Sequence, residues 1–158
     1  MTTKLDFTDE EWTALVRSPF VAGMSISLAD PGGPIEAAKE TMATLKVATS
    51  AVSSTHELLH AVGEDIEAST RQHHNPLSGF KPRSGKDLLD ELQRINEILT
   101  AKATPEEADA FRDWLKEAAK QAAEAAKEGG FMGFHAVRVS EGEQRMLEEL
   151  DEALCGEM

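Results

Sequence analysis

The stretch TPEEADAFRDWLKEAAKQAAEAAKE, residues 104–128, decides the fold class of this chain. It opens with Thr104 as an N-cap, a proline at the first helical position, and Glu107 placed to complete a capping box. Apolar side chains then recur every three or four positions along one face: Phe111, Trp114, Leu115, Ala118, Ala122 and Ala126. The pattern predicts the longest helix of the chain, ended by the glycines at 129–130.

Two further sequence signals for the start of a helix lie near the N-terminus. Thr8 with Glu11 has the spacing of a capping box, and the apolar residue before Thr8 is placed to pack against Trp12. Ser18 followed by Pro19 has the pattern of a second N-cap and first turn. The residues after it, 20–28, are nearly all apolar or small but are too few to cross a membrane, so we expect a buried central helix there.

Similar signals recur along the rest of the chain. They predict four more segments, namely a helix from Ile35 to about Ala51, one starting at Ser54 with Glu57 completing its cap, one from Ser84 to Lys102, and a last one capped by Ser140. The sequence therefore predicts an all-α fold, a single-domain bundle of six to seven helices spanning residues 1–158.

Composition narrows the possible functions. The 158 residues carry a formal net charge of −13, which argues against binding nucleic acid, because phosphate contacts need clustered basic residues. The one cysteine cannot form an internal disulfide. Neither a signal-peptide pattern nor an apolar run of membrane-spanning length is present, so we expect a cytoplasmic protein without a membrane association.

Residues 71–86 are the exception to the acidic composition. They contain four basic residues, no acidic ones, two prolines and two glycines, which predicts a long loop. Such a loop is either solvated or functional. In the functional case, His73 and His74 together with Lys81, Arg83 and Lys86 would contact an acidic partner or a phosphate-bearing ligand.

The segment HELLH, residues 56–60, matches the zinc-protease pattern H-E-x-x-H. His56 and His60 would share one helix face, and Glu64 lies one turn further on, so these three residues are the candidate ligands of a divalent metal such as zinc. His73, His74 and Asp65 are alternative third ligands. The bundle offers no sheet edge to align a substrate, which argues against a protease.

A segment rich in glycine and aromatic residues follows the long helix. Phe131, Met132 and Phe134 stand between glycines there. They fit a connection that fills the core, and they equally fit a patch that binds a protein partner or lines a ligand pocket.

Several motifs resemble a family of small bacterial helical proteins. They are Trp12 with Leu15, Pro19, the LADPGG turn at 28–33 followed by Lys39 and Glu40, and the segments KEGGFMGF at 127–134 and VRVSE at 137–141. The resemblance implies a bacterial cytoplasmic protein and no particular reaction. A weaker likeness, through the turn at 29–30, Glu36 and the helix start at 139–141, connects the chain to TerB-type tellurite-resistance domains, in which acidic turns are associated with divalent metals.

No Ser/His/Asp or Cys/His catalytic set can be assembled from these residues. The sequence therefore favours a non-enzymatic interaction or regulatory module, binding a protein partner or a second copy of itself through the alanine-rich face of 105–128. No cofactor is expected for such a module. The alternatives are a metal-binding protein, including a zinc-dependent hydrolase, that uses His56, His60 and Glu64, and a carrier of a small ligand held between helices.

Overall fold

The computed structural model describes residues 3–29, 34–75, 77–128 and 141–155. Within them the chain forms six helices: α1 (Asp9–Ala29), α2 (Pro34–Ser50), α3 (Glu57–Arg71), α4 (Gly85–Lys102), α5 (Pro105–Glu128) and α6 (Glu141–Cys155). No strand occurs in these residues. The prediction of an all-α bundle is confirmed.

Helix α1 lies at the centre of the bundle and packs against each of the other five helices. Its side chains are buried almost from end to end, from Trp12 through Leu15 and Val21 to Ile26. The expected buried central helix is therefore present, and it is longer than the apolar segment that predicted it.

The prediction of a separate helix starting at Ser18-Pro19 is wrong, because α1 continues through both residues. Proline has no N–H, so the carbonyl of Leu15, four residues earlier, loses its usual donor. The buried Ser18 hydroxyl donates to that carbonyl at 2.6 Å. Ser18, which has the sequence pattern of an N-cap, thus supplies the hydrogen bond that Pro19 cannot make and keeps the helix continuous.

The start of α1 follows the prediction. The Thr8 N–H donates to Glu11 Oε1 at 2.8 Å, and the Glu11 N–H donates to Thr8 Oγ1 at 3.1 Å. The ring centroids of Phe7 and Trp12 are 5.7 Å apart.

A hydrogen bond from Lys102 at the end of α4 lowers the pKa of Glu11. This contact therefore stabilises the fold at pH values above the ordinary glutamate pKa, and the stabilisation is lost as the pH falls through the lowered pKa.

Helix α5 packs against α1 and α2. Its capping residue is the predicted one, because Thr104 Oγ1 accepts the Glu107 N–H at 3.2 Å. Four alanines on its inner face are fully buried: Ala118, Ala119, Ala122 and Ala123. These four alanines belong to the core of the chain itself, and self-association of the protein stays a prediction.

The predicted helix start at Ser54 is also wrong, since α3 begins at Glu57. Residues Ala51–Ser53 form a 3₁₀ turn instead, and the Ser54 hydroxyl accepts the backbone N–H of His56 at 3.1 Å. This turn packs directly on α3. A Cβ at Gly63 would lie 2.6 Å from the backbone N of Val52, so only glycine allows the contact.

Helix α6 is joined to α5 by an ion pair. Lys116 Nζ donates to Asp151 Oδ1 at 2.6 Å, and this hydrogen bond raises the pKa of Lys116. None of the helices in the described residues is sufficiently long and apolar to traverse a membrane.

The continuity of α1 gives a first prediction. Replacing Ser18 by alanine should lower the free energy of unfolding by about 2 kcal/mol, because the Leu15 carbonyl is then buried without a donor. In a Pro19→Ala background, which restores the N–H, the same change should cost only about 0.5 kcal/mol. Denaturant unfolding of the four variants measures this difference.

Ser25→Ala is the matched control. The Ser25 hydroxyl is equally buried and bonds the Ala22 carbonyl at 2.6 Å, but that carbonyl keeps the helical N–H of residue 26. Its loss should cost about 0.5 kcal/mol. Equal costs for Ser18→Ala with and without the proline would contradict this account of the helix.

The contact at Gly63 gives a second prediction. Gly63→Ala should destabilise the protein by about 3 kcal/mol, because the added methyl group meets backbone atoms that cannot move aside. Gly85→Ala is the control, since its Cβ would meet only the flexible end of Met146 at 3.2 Å, and it should change stability by about 0.5 kcal/mol or less. Similar unfolding midpoints for the two variants would show that the 3₁₀ turn is not seated on α3.

Candidate functional site

The candidate metal ligands lie at the start of α3. His56 is the N-cap residue with an extended backbone, so it precedes the helix instead of sharing its face with His60. The His60 ring is held on both sides: Nδ1 lies 2.6 Å from the Val52 carbonyl, and Nε2 lies 2.9 Å from Glu64 Oε1. The structure thus brings His60 and Glu64 together, with about half of each side chain exposed.

Two of the three predicted ligands are therefore adjacent. Among the residues that the structure describes, no group of three His, Cys, Asp or Glu side chains has the arrangement of a metal site. A metal held by His56, His60 and Glu64 stays a prediction.

The predicted loop is shorter than expected, and its first residues are held by backbone hydrogen bonds. Helix α3 extends to Arg71 and α4 begins at Gly85, which leaves 72–84 as the connection. The His74 N–H donates to the Ser69 carbonyl at 2.9 Å, and the His73 N–H donates to the Thr70 carbonyl at 3.1 Å. These are the two hydrogen bonds of a Schellman motif. His73 has the left-handed backbone, φ 57°, that this motif normally gives to glycine.

The basic residues of the predicted loop lie in two elements. Lys81 and Arg83 are exposed on the second half of the connection. Lys86 lies in the first turn of α4 and pairs with Asp90 at 3.1 Å. A contact that His73 and His74 make together with these three cations stays a prediction.

A cleft of about 670 Å³ lies instead between α1, the end of α3 and the first part of the connection. His73 and His74 line it, together with Lys4 and Arg17 from the N-terminal region. Asp65 also lines it and is already engaged, because its Oδ2 accepts hydrogen bonds from Lys4 Nζ and from the indole N–H of Trp12. Sequence periodicity gave no signal for Arg17, which looks like any polar residue of an amphipathic helix.

A second concavity, a groove of about 770 Å³, runs between α2 and α5. One stripe of each helix lines it: Ala43, Lys46, Val47 and Ser50 from α2, and Ala110, Asp113, Trp114, Glu117, Gln121, Glu124 and Ala125 from α5. We call this feature the α2–α5 groove. The sequence predicted Trp114 only as a core residue and did not predict that it also forms part of a surface.

The third predicted site lies elsewhere. Phe131, Met132 and Phe134 fall outside the described residues, so their role as a partner patch stays a prediction.

Comparisons of the chain with models of known protein families, with curated proteins and with solved structures found no match.

Proposed function

We propose that this protein is a non-enzymatic interaction module that binds a basic amphipathic helix of a partner protein in the α2–α5 groove. The observation that carries the proposal is the pairing, in one groove, of an apolar floor with a row of carboxylates. A helix with apolar residues on one face and lysine or arginine beside them complements both features.

The floor of the groove is apolar and fixed in place. Trp114 is 8% exposed, and its indole N–H donates to the Val47 carbonyl at 2.9 Å. Its ring stands edge-on to Phe111 with centroids 5.0 Å apart. A ring that is held by a hydrogen bond and by an aromatic neighbour loses little freedom when a partner covers it, which favours binding.

The rim of the groove is acidic. Asp113, Glu117 and Glu124 lie along the α5 wall, over a distance of about 16 Å at the rise of an α-helix. Within the described part of the chain, none of these carboxylates lies within ion-pair distance of a basic side chain. Asp113 is near enough to Lys116 to help raise the pKa of that lysine, and Glu117 accepts a hydrogen bond from Gln121 at 2.7 Å. The spacing of the three carboxylates matches about three turns of a partner helix. The α2 wall carries the basic residue Lys46, whereas the α5 wall is acidic. This difference in charge would fix the direction in which a partner helix lies.

The net charge of −13 supports the same conclusion. A strongly acidic protein attracts basic segments over a longer range and so raises the rate of encounter. We place this module in the cytoplasm of a bacterium, in keeping with the resemblance stated from the sequence.

A second candidate function is binding of a divalent metal at the start of α3. The observation that favours it is the double contact of His60. A histidine that ligates zinc through one nitrogen usually donates its other N–H to a carbonyl or a carboxylate, and the Val52 carbonyl is placed for that role. The distance of 2.9 Å from Nε2 to Glu64 Oε1 is near the separation of about 3.3 Å between two ligands of one tetrahedral zinc.

The groove proposal predicts binding of a defined probe. A synthetic helical peptide with leucines on one face and lysines on the other should bind with 1:1 stoichiometry and should shift the indole N–H resonance of Trp114. Glu117→Lys should weaken this binding by about tenfold, because it places a cation among the basic side chains of the peptide.

Glu97→Lys is the matched control, since it makes the same change in net charge at an exposed position on α4 outside the groove. It should weaken binding by only about twofold, through the overall charge alone. Equal effects of the two substitutions, or a peptide that leaves Trp114 unperturbed, would rule out the groove as the binding surface.

The metal proposal predicts that the purified protein takes up one zinc ion per chain. A native mass spectrum recorded after addition of zinc should show this adduct in the wild type and in His74→Gln, and should lack it in His56→Ala and His60→Gln. Retention of zinc in the last two variants would place the metal elsewhere. Absence of zinc from the wild type would exclude the site.

A further inference from the structure

Arg17 is the most informative residue of the cleft between α1 and α3. It makes no hydrogen bond or ion pair within the described residues, and its Nε is buried without a partner. Leaving a buried donor of a charged group unsatisfied is costly. Arg17 is half-buried and lines the cleft, and its guanidinium has no acceptor among the residues that the structure describes.

The position of the Arg17 guanidinium is fixed by stacking. Its Cζ lies 5.0 Å from the centre of the Phe80 ring, and Phe80 itself packs against the core together with Leu77. The connection between α3 and α4 is thereby fastened to α1. A planar guanidinium held in this way presents its donors in a set direction, which suits an anion with several oxygens.

Other donors converge on the same space from different parts of the chain. Lys4 comes from the segment before α1, Ser69 comes from the last turn of α3, and His73 comes from the start of the connection that follows. The single carboxylate among the lining residues, Asp65, is bonded to Lys4 and to the Trp12 indole, so it anchors the lysine at 3.0 Å in the cleft wall.

The left-handed backbone of His73 is a second, independent observation. Glycine would satisfy the Schellman motif at this position without strain, yet the chain carries an imidazole there. A non-glycine residue in this conformation often marks a functional position. In this protein the residue with that backbone lines the same cleft as Arg17.

We propose that this cleft binds the phosphate group of a small, soluble phosphorylated molecule. A phosphate offers oxygens in several directions and so accepts from donors on three segments at once, whereas a carboxylate offers only two. The volume of about 670 Å³ leaves room for the rest of a small molecule. The inference does not depend on the α2–α5 groove, and none of the residues that line the groove lines this cleft.

The test uses inorganic pyrophosphate as the probe, titrated into the full-length protein at physiological salt and followed by NMR. The amide resonances of Ser69, His73 and His74 should shift in a saturable way, with a Kd below about 1 mM. Arg17→Gln should weaken binding by about tenfold. His73→Asn, which keeps a residue that tolerates the left-handed backbone, should weaken it by about threefold.

Arg83→Gln is the matched control, because it removes a cation of the same connection that does not line the cleft, and its affinity should stay within about twofold of the wild type. If Arg17→Gln does not fold, as judged by thermal unfolding, His73→Asn decides the outcome. Unperturbed cleft resonances, or equal losses in the cleft variants and in Arg83→Gln, would overturn the proposal. Co-sedimentation with phosphatidic acid vesicles in the absence of pyrophosphate binding would overturn the assignment to a soluble molecule and indicate a lipid headgroup.

Discussion

The hydrogen bond from the Ser18 hydroxyl to the Leu15 carbonyl is the contact on which the architecture depends. It supplies the donor that Pro19 lacks and so lets α1 run for 21 residues, about 32 Å, without a break. Because α1 contacts every other helix, a kink at its midpoint would change the direction of half of the central element. The positions of five helices therefore follow from one buried hydroxyl.

Of the two concave surfaces, the groove and the cleft, only the cleft is lined by α1. The α2–α5 groove and the cleft beside α3 are formed by different neighbours of this helix. They differ in chemistry as well: the groove has an apolar floor and an acidic rim, and the cleft is lined by the half-buried Arg17 and by two histidines. A bundle of modest size thus carries one surface suited to a cationic helix and another suited to a small anion.

The sequence predicted the features that depend on local hydrogen bonding. The capping residues Thr8 and Thr104 and the end of α4 at Lys102 follow from side chains within three or four positions. The predicted helix start at Ser18-Pro19 is wrong because a serine before a proline fits two positions. It can be an N-cap, or it can lie inside a helix and donate to the carbonyl that the proline leaves without a donor, and only the burial of the surrounding residues distinguishes the two. The predicted helix start at Ser54 is wrong because the Ser54 hydroxyl accepts the nearby N–H of His56, and the helix begins only at Glu57. Arg17 and Phe80 are 63 positions apart, and no local pattern links them.

The alanines on the inner face of α5 have a consequence for the surface above them. Small side chains between two helices allow their axes to approach to about 8 Å, at the lower end of the usual range. Helices α2 and α5 pack against each other, and α5 contributes buried alanines such as Ala118 and Ala122 to the core. Exchanging these alanines for valines would increase the spacing of the helices that pack there. The width of the groove, and hence the thickness of the helix that it admits, is therefore set by residues inside the protein.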